Sequence, residues 1–243
     1  MSARPNKVLS KATAVIDLLA REGALTPAQI ASYTGIARSS AYRLVDTLVD
    51  ARLAEQLTGS RVRLTRRWLQ LADAAVAGLS EWAGTQRGLE TLARETGLTA
   101  YLTVPENGEA TCIAWAQGSG IDLLELRPGR SLPLNAGAAG RCFLAFDAKL
   151  TEATLTAEEL PMFTDHTLID RSALLSDIEV TRERGYALSD EDVTLGVGAI
   201  GIPLFRDEQL AGCISLAGLA EVVRRDQAAL AEQLLRTVRD LIR

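Results

Sequence analysis

The stretch TPAQIASYTGIARSSAYRLVDTL, residues 26–48, reads as two short helices that nearly touch. Thr26 offers a hydroxyl N-cap, Pro27 stands where a helix tolerates proline, and Gln29 completes the spacing of a capping box, so one helix begins at Pro27. Ile30 and Ala31 can pack inward before Thr34-Gly35 ends it, because Gly35 is free to take the positive φ of a tight turn. The next helix is predicted over 38–51, with Ala41, Leu44, Val45 and Leu48 as its apolar stripe. Its other face, at the N-terminal end, carries Arg38, Ser39, Tyr42 and Arg43, with Ser40 beside them.

Upstream, Val8, Leu9, Ala14, Ile16, Leu18 and Leu19 keep a helix-compatible pattern that stops near Gly23, so a first helix precedes the pair. Helix, short turn, helix is the unit whose second member enters the DNA major groove with its N-terminal residues at the base edges. Arginine can donate twice to guanine or grip phosphate, and serine lets the backbone approach. Downstream, LAEQLTGSRVRL (53–64) predicts a strand, a TGS turn and a second strand, with Arg61 and Arg63 facing outward. This is a wing, suited to the neighbouring minor groove or to phosphates. Any three-helix bundle shares the helical periodicity; the basic hairpin and the local charge are what point to double-stranded DNA.

Charge divides the chain in the same place. Of 243 residues, 1–67 carry a net charge of +6 and 68–243 a net charge of −11, which together give −5. Only the basic head is suited to a polyanion. With 47% hydrophobic and 23% charged residues, the chain can bury a substantial core and is globular. The longest apolar run, LGVGAIGIPLF, is far shorter than the ~20 residues of a membrane-spanning helix, and the N-terminus lacks a hydrophobic signal core; a cytoplasmic protein with no membrane partner is expected. Cys112, Cys142 and Cys213 are odd in number, far apart and in apolar contexts, which reads as buried thiols and not as a disulfide framework or metal clip.

Beyond the wing, TRRWLQLADAAVAGL predicts a helix over 66–79, with Trp68, Leu69, Leu71, Ala72, Ala75, Val76 and Leu79 on a broad apolar face. No Pro-rich or Ser-rich linker intervenes, so the expected organisation is a winged domain over 1–65, a linker helix over 66–80 and a second domain over 81–243. In that second domain a helix is predicted over 82–95, with Leu89 and Leu92 inward before Gly97. LTAYLTVPENGEATCIAWAQ is a hairpin turning at Asn107-Gly108. IDLLEL and RSLPLN are candidate short strands, AGAAGRCFLAF a loop entering a helix, and SALLSDIEVTRERG a helix ended by Gly185. GAIGIPLF and LAGCISLAGL, separated by RDEQ, suit adjacent antiparallel strands. A last amphipathic helix, over 226–242, uses Leu230, Leu234, Leu235, Val238 and Leu241. The fold class is α+β, with hairpin strands and helices at the ends.

Residues 182–205, RERGYALSDEDVTLGVGAIGIPLF, resemble the signature of IclR-type transcriptional regulators: a glycine-tyrosine start, an acidic core and a small-residue strand ending in an aromatic. LPLNAGAAGRCFLAF, residues 132–146, is similar to a second landmark of that family. With the winged helix-turn-helix, the resemblance covers nearly the whole chain in the right order. It implies a GAF-like antiparallel-sheet domain that binds a small metabolite, usually an organic acid, and assembly as a homodimer or homotetramer. Carried over by position, the effector site comprises the turn Gly137, Ala138 and Ala139, whose backbone N–H groups and following helix suit a carboxylate, together with Ser189, Ala199, Ser215 and Ala217. Three departures stand out: Asp192 where a glutamate is usual, Ala199 where the family often has cysteine, and Arg206 after Phe205 where an acid or amide is usual.

The rival reading is an enzyme domain that converts a small molecule. Its only histidine is His166, in FTDHTL, which reads as a surface loop residue. Asp190, Glu191 and Asp192 are consecutive, so their side chains point in different directions and do not by themselves form an acid-base dyad. No phosphate-cradling GxxxxGK, nucleophile elbow or CxxC pair occurs. A regulator without catalytic residues, metal or cofactor is the expectation.

Overall fold

The structure is a computed structural model that describes residues 7–78, 82, 84–120 and 126–241, with the backbone alone at 76, 77 and 240. The chain divides into two compact units, Met1–Ser80 and Glu81–Arg243.

In the first unit, helices α1 (Lys7–Glu22), α2 (Pro27–Thr34) and α3 (Arg38–Asp50) lead into strands β1 (Ala54–Gln56) and β2 (Val62–Leu64) and helix α4 (Arg67–Gly78). Both halves of the capping box form: Gln29 N donates to Thr26 Oγ1 (3.3 Å) and Thr26 N donates to Gln29 Oε1 (2.9 Å). Gly35 takes φ 68°, the left-handed conformation that lets α3 turn away from α2. Val15, Leu18 and Leu19 of α1, Ile30 of α2, and Ala41, Val45 and Leu48 of α3 share one core with Val62 of the hairpin. Leu25 and Val62 exchange backbone hydrogen bonds (3.1 and 2.7 Å), which fasten the wing to the helices.

Helix α4 is held at its N-terminal end. Arg67 Nη1 donates to Ala51 O and Trp68 Nε1 to Leu53 O, both at 2.7 Å, so its first turn is pinned to the wing. The apolar residues that follow are not buried: Leu69 is 70% and Leu71 44% exposed. Periodicity detects an amphipathic face but not whether anything covers it. Leu79 lies outside the described residues.

The second unit is built on an antiparallel sheet in the order β5-β4-β3-β8-β7-β6 among the described residues. Helix α5 (Thr85–Thr96) leads to β3 (Thr99–Glu106) and β4 (Glu109–Ala116), joined at Asn107-Gly108, both at positive φ. Next come β5 (Ser131–Pro133), α6 (Gly137–Phe146), α7 (Ala148–Leu155), α8 (Arg171–Arg184), β6 (Ala187–Asp190), β7 (Val197–Arg206), β8 (Gln209–Leu219) and α9 (Ala220–Leu241). One sheet face, with Leu102, Ile200, Ile202, Ile214 and Leu216, packs under α5 and α9. The other packs under α6 and α8 through Phe143, Leu144, Leu174, Ile178 and Cys213. Residues alternate between these faces along each strand.

Several sequence readings are corrected. Helix α5 begins at Thr85 and Trp82 precedes it; α9 begins six residues earlier than Asp226, at Ala220, and its Leu235 is exposed. Residues 121–125 of IDLLEL and Ile242 lie outside the described residues. Helix α7 has no counterpart in the sequence reading. The three cysteines are buried free thiols.

Candidate functional site

The exposed start of α3 is the first candidate surface. Arg38, Ser39, Tyr42 and Arg43 are exposed and Ser40 is half-buried, while Ala41 on the opposite side of the helix is buried. Ala37, the N-cap residue, supplies no side-chain cap; Ser40 N donates to Ala37 O (2.8 Å), which leaves the Arg38 and Ser39 amides at the open end of the helix. Arg61 and Arg63 are exposed on the hairpin. Arg63 Nε donates to Glu55 Oε1 across the two strands at 2.7 Å, an exposed pair worth about 0–1 kcal/mol and easily exchanged for a phosphate. Arg61 follows the turn in which Gly59 and Ser60 take positive φ.

The second candidate lies on the α6 side of the sheet. Pairing aligns Ser189, Ala199, Ala217 and Thr99 in one row and Gly201, Ser215, Tyr101 and Trp115 in the next, all on one face. The four strand residues expected at the effector are therefore gathered, next to a deliberately bare position: a Cβ at Gly201 would come 2.8 Å from Cys213 Sγ and 3.4 Å from Ala138 Cβ.

Gly137, Ala138 and Ala139 are all buried, but they form the first turn of α6 and not a turn that precedes a helix. The reason is a contact from far along the chain. Gly137, at φ 76°, donates its N–H to Asp192 Oδ2 (3.2 Å), which substitutes for a local cap. The Ser189 hydroxyl also donates to Asp192, so the serine presents only acceptor lone pairs to anything else. Ala138 and Ala139 occupy positions whose N–H groups have no acceptor four residues back.

Asp192 is buried and tied further. Arg141 Nη1 donates to its Oδ2 at 2.9 Å, while Arg141 Nε and Nη2 grip Asp177 of α8 at 2.9 and 2.6 Å. Burial works against the guanidinium's charge, but Asp177 and Asp192 outweigh it and hold the group above its ordinary pKa. The other two acids diverge from Asp192. Asp190 pairs with Arg224 of α9 (2.9 Å), and Glu191 accepts from the same arginine (2.6 Å) and from Gly196 N (2.7 Å). His166 is exposed on the loop before α8.

Comparison with known proteins then decides the family. Residues 8–58 match the family model described as IclR helix-turn-helix domain, and residues 77–243 match that of the bacterial transcriptional regulator IclR C-terminal domain. The chain belongs to the IclR family of bacterial transcriptional regulators. It is 28% identical to the HTH-type transcriptional regulator KipR of Bacillus subtilis over 215 residues, 88% of this chain and 86% of that one. An IclR transcriptional regulator from Alicyclobacillus acidocaldarius has the same fold, with a TM-score of 0.83 at 22% identity and 98% of each chain covered. An IclR homologue from Microbacterium hydrocarbonoxydans, solved in complex with 4-hydroxybenzoate, superimposes with a TM-score of 0.81 at 19% identity over 97% of each chain. This IclR-family protein thus has an N-terminal DNA-binding domain and a C-terminal effector domain, and none of its described helices is long and apolar enough to cross a membrane.

Sequence reasoning missed the residues that brace the IclR effector domain from inside. Arg141 was visible as the lone charge in GAAGRCFLAF, and a charge inside an apolar helix calls for a buried acid. Which acids answer it, Asp177 and Asp192, no local pattern shows. Tyr101, Trp115 and Arg127 were passed over as strand and loop residues. In the structure the rings of Tyr101 and Trp115 stack at 6.3 Å and the Arg127 guanidinium lies 4.1 Å from the centre of the Trp115 ring.

Proposed function

We propose that this protein is a ligand-responsive regulator in which a small organic acid, bound in the 81–243 domain, changes the affinity of the winged domain (1–65) for a double-stranded DNA operator, with the segment 66–80, which contains α4, joining them. The observation that carries the reading is the gathering of Ser189, Ala199, Ala217 and Ser215 on one sheet face with the first turn of α6. Ala138 and Ala139 offer backbone N–H groups to a carboxylate, Ser215 a hydroxyl, and Ala199 and Ala217 an apolar wall; Gly137 and Ser189 hold Asp192 in place at the edge. The 4-hydroxybenzoate bound by the Microbacterium homologue supports a carboxylate ligand. The domain's net negative charge does not oppose it, since distant surface charges are screened within about 10 Å. The effector is returned unchanged, and the protein works in the cytoplasm.

On the DNA side, Arg38, Ser39, Ser40, Tyr42 and Arg43 meet base edges and backbone, and Arg61 and Arg63 meet phosphates. One winged domain covers half of a palindromic site, so a symmetric homodimer is the minimum assembly and a homotetramer the larger one. The exposure of Val8 and Leu9 on α1 and of Leu69 and Leu71 on α4 supports these helices as contacts.

The test is a melting screen of organic acids followed by calorimetry with the best of them. A ligand at 100 times its dissociation constant stabilises by about 2.7 kcal/mol. Ala139→Leu is expected to abolish binding, and Ser215→Ala to weaken it by about 1 kcal/mol. If both variants bind the acid like the parent protein, the effector site is elsewhere.

A further inference from the structure

The face that carries the effector residues has two unlike ends. At one stands the first turn of α6. At the other, in the same row as Ser215 and Gly201, stands Tyr101, which is 2% exposed and whose phenol oxygen has no hydrogen-bond partner among the described residues. A buried hydroxyl left unpaired carries a penalty on the order of 1–3 kcal/mol, so a partner arriving from outside the chain gains what the fold leaves unmade. Tyr101, Cys112 and Ala217 form a small apolar cluster with Trp115, Leu126 and Ala199, separate from the cluster around α6 and α8, and Ala199 packs against both. Tyr101 and Ser215 are register partners on β3 and β8, one row from Ala199 on the same face. Arg127, lying on Trp115, is close enough for its charge to act on both Tyr101 and Cys112.

We propose that the Tyr101 hydroxyl forms a second polar subsite that takes an oxygen at the far end of the effector, whose carboxylate lies at α6; the ligand is a hydroxy acid or a dicarboxylic acid and not a simple monocarboxylate. The proposal rests on the effector reading above. Burial pushes the Tyr101 phenol well above its ordinary pKa, against the opposing effect of Arg127, so the group stays protonated and donates. The Tyr101–Trp115 stack sets the width of this end.

The test is titration calorimetry on the full-length wild-type and Tyr101→Phe proteins with two matched pairs, benzoate against 4-hydroxybenzoate and butyrate against succinate. In at least one pair the wild type is expected to bind the oxygen-bearing member about tenfold more tightly, and Tyr101→Phe to cut that ratio to about twofold without weakening the other member. Deleting an unpaired hydroxyl should leave the melting temperature of the ligand-free protein unchanged or raise it. A wild type that binds both members of each pair equally, a Tyr101→Phe protein that keeps the ratio, or a melting temperature lowered by the substitution overturns the subsite and leaves the effector reading standing. A wild type that binds none of the four acids overturns both.

Discussion

Replacing Arg141 with methionine should destabilise the effector domain by about 3–5 kcal/mol, the cost of stranding buried charge. The magnitude follows from the contacts. Methionine keeps much of the apolar stem but removes three charge-assisted hydrogen bonds and leaves two carboxylates without that counter-charge, one of them, Asp192, with its side chain 1% exposed. Asp192→Asn is milder, because the Arg141 guanidinium keeps its two-point grip on Asp177; losing one charged acceptor there should cost about 1.5–3 kcal/mol. Combined, the two substitutions should cost at least about 1 kcal/mol less than their sum, since they share one interaction. Urea unfolding of the full-length proteins measures all three, followed by circular dichroism and by tryptophan fluorescence, to which Trp82 and Trp115 contribute from this unit. The reasoning fails if Arg141→Met costs no more than Asp192→Asn, or if the two costs add.

Three further outcomes are expected. Arg38→Ala and Arg43→Ala should each weaken specific operator binding by about 1–3 kcal/mol, whereas Arg61→Ala and Arg63→Ala should weaken binding to all sequences and lower the salt slope by about one each; anisotropy titrations that leave both α3 variants unchanged refute the recognition-helix assignment. Thr26→Ala removes one side of a formed capping box and should cost the winged unit about 1 kcal/mol in denaturant, and a cost near zero would mean that the cap adds nothing. Burial pushes the Cys112 thiol up from 9.0 to about 12. With the folded pKa raised, its contribution is complete below pH 9 and is lost as pH rises toward 12, by up to about 1.4 kcal/mol per unit. Wild type should therefore lose more stability between pH 8 and 10.5 than Cys112→Ala, and equal losses contradict this.

Local chemistry made much of this protein legible from its sequence. The Thr26 cap, the Gly35 turn, the Asn107-Gly108 hairpin and the Gly185 helix end depend on hydrogen bonds and dihedral preferences within a few residues, and each stands where expected. Ser189, Ala199, Ser215 and Ala217 came from the family resemblance, and the pairing of β6, β7 and β8 sets them on one face. Tertiary structure decided the rest. Gly137–Ala139 became helix because Asp192, 55 residues later, caps it. Arg141 found its acids on α8 and beyond β6. Tyr101 acquired a buried hydroxyl with no partner, and the apolar side of α4 stayed uncovered within its own unit. Burial and charge pairing are set by what comes to lie opposite a side chain once the sheet has assembled, and no window of neighbouring residues contains that information.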